Sequence, residues 1–339
     1  MNWALLRSSL AVSALSTVLA VVFGLAAALW LAGLDRRWRT ALLALSAVAL
    51  ALPPFLVTNF WLDVLGFTGR WHRWFPLNIY SLGGTVWILA LLTWPITLFL
   101  ALGAWLRLDS TQLECDPALC GWPLVRWLLL PLARPALTQA AALTFALTLN
   151  NFAVPSILQV KVFPAELWVS FNTQFDYGAA LELSWPLVIV PLSLLLWFRR
   201  RQVAWPQLDG GVASARLRRQ LGRGWFGSSA TVTIGALLTA VGFPLAQLMF
   251  ANATWSELPA VWATGRGVLL HSFGYAAITA TLCIGLALAG RRWRIGLILW
   301  IPFLVPGVLL GIALIFLFNR PLLAWLYQSV GIVILALTV

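Results

Sequence analysis

Glu114, Cys115, Asp116, Pro117, Cys120 and Gly121 open the stretch LECDPALCGWPLVRWLLLPLARPALTQ, which closes on Pro131, Arg134 and Pro135. The thiols suggest a metal or disulfide role first, but Cys115 and Cys120 have neither a second cysteine pair nor nearby histidines to complete a site. Asp116 before Pro117 is a helix start: the carboxylate can accept from the first free N–H groups, and proline at the first helical position has no N–H to satisfy. Gly121 lacks a side chain, so another backbone or helix can approach closely there. Pro131, Arg134 and Pro135 are expected to end this element and turn the chain into the next apolar run. The chemistry of the stretch is therefore mechanical, a short surface hairpin stiff enough to transmit force.

Elsewhere the polar residues are few. Asn150 and Asn151 stand in or near an apolar run and are candidates for lining a pathway, with Asn59 a third; amides of this kind also bridge helices. Glu182 and Asp63 fall near outer helix ends and read as solvated, and His72 reads as interfacial. Pro53, Pro54, Pro155 and Pro306 break apolar runs and are expected to mark hinges, a discontinuous helix or static kinks. No catalytic residue is assigned: no paired carboxylates share a helix face in mid-membrane, no His/Cys cluster has ligand spacing, and no glycine loop cradles phosphate. Neither a metal nor a cofactor is expected, and ATP binding must lie elsewhere.

The elements that position these residues are set by composition. Of 339 residues 61% are hydrophobic and 9% charged, and the mean hydropathy is +0.91. So little polar surface cannot coat a soluble globule of this size. Apolar runs recur at the length, about 20 residues, that a helix needs to cross the hydrocarbon. No strand-like alternation suggests a barrel. The first run, from Leu10, has one arginine before it, Asp35-Arg36-Arg37 after it and no small-residue cleavage site, so it reads as a span and not a leader. The expected fold is an all-α polytopic bundle of eight or nine spans, near 9–33, 41–65, 82–106, 135–160, 178–198, 230–252, 267–289, 295–318 and from 322 onward.

The net charge of +12 does not point to nucleic acid, because the arginines cluster at the ends of apolar runs and form no basic face with aromatics between them. With the opening stretch inside, the loops at 34–40, 199–229 and 290–294 are inside too, and 16 of the 22 basic residues fall on that side. That bias orients the chain, with its N-terminus outside. Residues 66–81 are then external, and Trp71, Trp74 and Tyr80 suit a belt at the headgroups.

The chain also resembles itself. SLAVSALSTVLA from Ser9 returns as SFGYAAITATLC from Ser272, ALPPFLV as FLVPGVL around Pro306, and YSLGGTVWILAL from Tyr80 as YQSVGIVILALT from Tyr327. Three matches in one order suggest duplication. Residues 1–198 form a first repeat with its cytoplasmic loop at 107–134, residues 199–229 a basic linker, and 230–339 a second repeat. The linker reads either as resting on anionic headgroups or as docking a partner. The counterpart of the opening stretch would fall beyond Val339, so the second copy is expected to be incomplete, by truncation or because another polypeptide supplies the rest.

These residues resemble the permease subunits of ATP-binding cassette (ABC) importers. Their cytoplasmic signature runs Glu-Ala-Ala, then Gly, then Leu-Pro; Glu114, Gly121 and Leu130-Pro131 stand at the matching places, with Cys115-Asp116 where the alanines would be and a shorter interval from Gly121 to Pro131. LTFALTLNNFAVPSILQ from Leu143 looks like the helix that follows. AELWVSFNTQFDYGAALELSWPLV from Ala165 is similar to the two-repeat permeases for iron(III), thiamine and related solutes. The resemblance implies a multi-pass protein of the bacterial plasma (inner) membrane, with Glu114, Asp116, Gly121 and Pro131 coupling it to a separate ATPase. It further implies ABC ATPase subunits, an extracytoplasmic solute-binding protein and membrane lipids as partners, with a second permease chain if the other copy is completed elsewhere. The solute would be iron(III) or another small ion or cofactor. A non-transporting or degenerate scaffold is the alternative, and an intramembrane lipid-modifying enzyme fits less well.

Overall fold

The structure, a computed structural model, describes residues 3–74, 77–106, 108, 113, 119–172, 184–190, 192–194, 196, 214–293 and 307–338. Every regular element among them is helical. In chain order these are α1 (Trp3–Ala32), α2 (Arg36–Ala51), α3 (Pro54–Leu65), α4 (Leu82–Trp105), α5 (Trp122–Leu149), α6 (Ala153–Ile157), α7 (Phe163–Asn172), α8 (Ser214–Phe250), α9 (Asn252–Trp293), α10 (Gly307–Phe318), α11 (Ala324–Tyr327) and α12 (Val330–Thr338). Residues 184–190 and 192–194 are helical as well. Five of these helices are long and apolar enough to cross a membrane, and seven spans result if each of two bent pairs counts as one. The expected spans at 178–198 and 295–318 fall partly outside the described residues.

Contacts divide the chain into two compact units. The larger comprises residues 2–165 and 201–246, and its centre is α4, whose side chains are mostly buried. Helix α1 lies against α4 along a stripe of small residues: Ala20, Gly24, Ala27, Ala28 and Ala32 are all buried. Small side chains let two backbones approach, and in a lipid solvent that close packing takes over the role hydrophobic burial plays in water. Gly24 is the tightest point. A Cβ there would lie 2.6 Å from the Trp94 carbonyl and 2.9 Å from the Leu98 nitrogen. Most buried hydroxyls along this seam bond inside their own helices, Ser13 donating to the Ser9 carbonyl at 2.9 Å, Thr17 to Ser13 at 2.7 Å and Thr93 to Leu89 at 2.7 Å, while Ser16 donates across the seam to the Val86 carbonyl at 3.5 Å. Thr97 and Thr144 are each buried with no hydrogen-bond partner among the described residues.

The second apolar run is broken. Pro54 begins α3 as its first helical residue, where its missing N–H costs nothing, and the axis turns by 87° between α2 and α3. Beyond α3 the chain turns through Gly66–Trp74, where Arg70 meets Asp63 at 3.1 Å with both side chains well exposed. His72 packs edge-on against Phe67, which stacks on Tyr80. Trp71 and Trp74 are exposed there.

The smaller unit holds residues 166–200 and 247–339. Its long helix α9 packs against α12, with the Cys283 thiol 3.8 Å from the Thr338 carbonyl. Most of α9 is exposed, including the large apolar residues Trp262, Leu270, Phe273 and Leu288, as suits a helix long and apolar enough to cross a membrane. The axis turns by 100° between α10 and the short helical segment after Arg320.

Candidate functional site

The candidate coupling segment begins at buried Leu113 and becomes continuous at Leu119. Glu114, Asp116 and Pro117 lie outside the described residues. Gly121 has φ +62° and ψ −129°, a left-handed conformation that a Cβ opposes. Its N–H donates to the Gln220 carbonyl at 2.8 Å. A Cβ at Gly121 would meet only the Trp225 ring, at an ordinary 3.6 Å. Glycine is needed here for its φ, and close approach is secondary.

From Gly121 the chain enters α5 through Trp122-Pro123, and the helix then runs unbroken to Leu149. This corrects the expectation that Pro131, Arg134 and Pro135 end a short element. Both prolines lie inside α5, and the span expected at 135–160 starts at Trp122 and stops at Leu149. The reason is a five-residue π turn, Val125–Leu129, closed by the Leu130 N–H donating to the Val125 carbonyl. Proline lacks a donor and its ring presses on the carbonyl four residues back; a wide turn just before it relieves that clash. Helix α8 does the same, with a π turn at Leu238–Gly242 placed one residue before Phe243-Pro244. The widened turn in α5 is held from outside: Trp105, fully buried, donates its indole N–H to the Leu129 carbonyl at 2.8 Å.

Pro131 itself is exposed. With Val21, Arg126, Leu130, Arg134, Leu137, Thr138 and Ala141 it borders an open groove of about 620 Å³. Arg126 lies over the Trp127 ring at 5.1 Å.

Two of the amides proposed for a pathway, Asn150 and Asn151, sit at element ends, and the third, Asn59, is exposed on a helix. Asn150 is the C-cap of α5, its N–H donating to the Ala146 carbonyl. Asn151 accepts from the Val154 N–H at 3.1 Å through its side-chain oxygen and so starts α6. Asn59 is exposed on α3, and α3 packs against α6 through a shared apolar cluster that includes Val57 and Val154. Pro155 is buried within α6. After α6 the chain returns along the start of α1: the Ser8 hydroxyl donates to the Lys161 carbonyl at 2.8 Å, and the Phe163 N–H donates to the Ser9 hydroxyl at 2.9 Å. Pro306 and Glu182 lie outside the described residues. No cluster of three metal-ligating side chains occurs among the described residues.

Three features escaped the sequence reading. The small-residue stripe of α1, Ala20, Gly24, Ala28 and Ala32 at intervals of four, was present as a recognisable pattern. The π turns had only the following proline as a signal. The packing of Leu217 and Leu221 beside Leu113 and Leu124 in one cluster had none, because those residues are far apart in the chain.

The chain matches no family model and no solved structure. Over 192 residues, 55% of this chain and 69% of the relative, it is 29% identical to a protein of Haloferax volcanii described as a probable molybdenum ABC transporter permease. The chain is thus similar in sequence to an ABC transporter permease, and its span-length apolar helices and all-α architecture among the described residues are those of a multi-pass membrane protein.

Proposed function

We propose that the chain forms the solute pathway of an ATP-driven importer and passes motion from a separate ATPase through the segment around Glu114, Asp116, Gly121 and Pro131. The observation that carries this reading is the likeness to the molybdenum permease. The geometry supports it in one respect: α5 joins the segment to the bundle core as one continuous helix from Trp122 to Leu149, its π turn braced by Trp105. The solute in this reading is a small inorganic ion. Molybdenum, which the relative is named for, is the first to test, and iron(III) the second.

The duplication belongs to the same proposal. Helix α3 (Pro54–Leu65) follows the Pro53-Pro54 segment, and the described helix α10 follows the matched Pro306 segment. Helix α4 follows Ser81, whose hydroxyl accepts from the Gly84 N–H; α12 follows Ser329, whose hydroxyl accepts from the Gly331 N–H. Pro53, Pro54, Pro155 and Pro306 act as hinges in this scheme.

The test is copurification from native membranes followed by reconstitution. An ABC ATPase and a solute-binding protein should accompany the chain, and vesicles holding the set should take up molybdate or iron(III) only with ATP. A chain that brings down no ATPase and supports no uptake is a scaffold.

A further inference from the structure

Both positive-φ glycines among the described residues belong to one contact. Gly121 turns the chain into α5; Gly222, at φ +79° and ψ +161°, kinks α8. No atom lies near where a Cβ of Gly222 would stand, so only the backbone angle demands glycine there. The kink gives the first part of α8, residues 214–221, its own direction. Leu217 and Leu221, one turn apart, are buried in the cluster that holds Leu113, Leu124 and Trp105, while Arg219 and Arg223 are exposed. Polar contacts fix the register: the Gln220 carbonyl accepts from the Gly121 N–H at 2.8 Å, and the Gln220 side-chain amide donates to the Leu113 carbonyl at 2.7 Å. Trp225 stacks on Trp122 with centroids 5.3 Å apart and planes 17° from parallel. The far side is anchored too: Arg218 lies over the Phe226 ring at 4.7 Å, and a Cβ on Gly33 at the end of α1 would come within 2.8 Å of that ring.

We propose that residues 214–225 are a strap that holds Leu113 and residues 119–122, the described ends of the ATPase-facing segment, in register, with Gln220 and Trp225 as its positioning residues. The proposal rests on the coupling role assigned to that segment above. A loop that relays force must be fixed at its base. Two backbone carbonyls, at 113 and 220, a paired indole stack and four leucines fix this one. The strap is the helical C-terminal part of the basic linker and is continuous with the rest of α8, so movement of the segment is passed into α8.

Hydrogen–deuterium exchange on the full chain in lipid nanodiscs reads the strap without any partner. Trp225→Ala and Gln220→Glu should each speed exchange of the amides of residues 119–122 by roughly tenfold, the size expected when one local restraint is lost. Trp225→Phe, which keeps a stacked ring, should restore protection, and Arg219→Ala should leave it unchanged. Trp225 is 40% exposed, so its removal leaves the core intact. In vesicles with the ATPase that copurifies with the wild type, the first two variants should hydrolyse ATP while transporting several-fold less molybdate per ATP. Unchanged exchange overturns the strap and leaves the importer reading standing. Faster exchange with unchanged transport per ATP overturns the positioning role. Loss of coupling in the wild type removes the importer reading, and the exchange data still decide whether the strap exists.

Discussion

At the scale of single residues, two positions separate conformational from packing demands. Gly121→Ala puts a Cβ on a left-handed backbone but meets only ordinary contact with Trp225. The expected loss is that of the backbone alone, about 1–2 kcal/mol, read as a lowered thermal midpoint of the detergent-solubilised chain. A loss much larger would mean that crowding, not φ, selects glycine. Thr97→Val runs the opposite way. Its hydroxyl is buried without a partner among the described residues, and an isosteric methyl removes a desolvated polar group worth about 1–3 kcal/mol when left unpaired. The variant should melt at a higher temperature than the wild type; a lower midpoint would show that the hydroxyl is bonded in the membrane. The sequence singled out Gly121 as a close-packing point, which is half the explanation, and passed over Thr97 because a threonine in an apolar helix ordinarily bonds its own backbone, as Thr93 does.

Among elements, the governing contact is the α1–α4 crossing at Gly24. Any larger side chain must push on the Trp94 carbonyl and the Leu98 backbone, and neither can rotate away. Gly24→Val is expected to lower stability by about 1–3 kcal/mol or more, with early aggregation on size-exclusion chromatography after heating, whereas Gly274→Val on α9, where a Cβ meets nothing within 4 Å, should be near neutral. Equal effects would remove the crossing from the account. Existence of the span helices was legible from run length and hydropathy, since those quantities are local. The continuity of α5 was not. Pro131 and Pro135 obey a local rule that ends helices, and the rule lost to a π turn braced by Trp105, a residue 24 positions from the carbonyl it bonds. The strap was still less legible, because Gly121 and Gln220 meet across about a hundred residues of chain and neither carries a mark of the other.

At the scale of the whole molecule, the charge distribution predicts one orientation. In the topology expected from the sequence, sixteen of the 22 basic residues fall on the side of the coupling segment, and arginines flanking short loops are retained on the cytoplasmic side during insertion. Trp74, 79% exposed beyond α3, should then face outward, and Arg223, exposed at the strap, inward. In a background with the native cysteines replaced by alanine, Trp74→Cys should react with a membrane-impermeant maleimide in intact right-side-out cells. Arg223→Cys should react only after permeabilisation. The reverse pattern would put the coupling segment outside, where no ATP-driven partner can reach it, and both the importer mechanism and the strap's coupling role would fall together. Labelling of both positions from one side would instead show that the number of crossings between residues 74 and 223 is even, and so would refute the span assignment while leaving the contacts around Gly121 untouched.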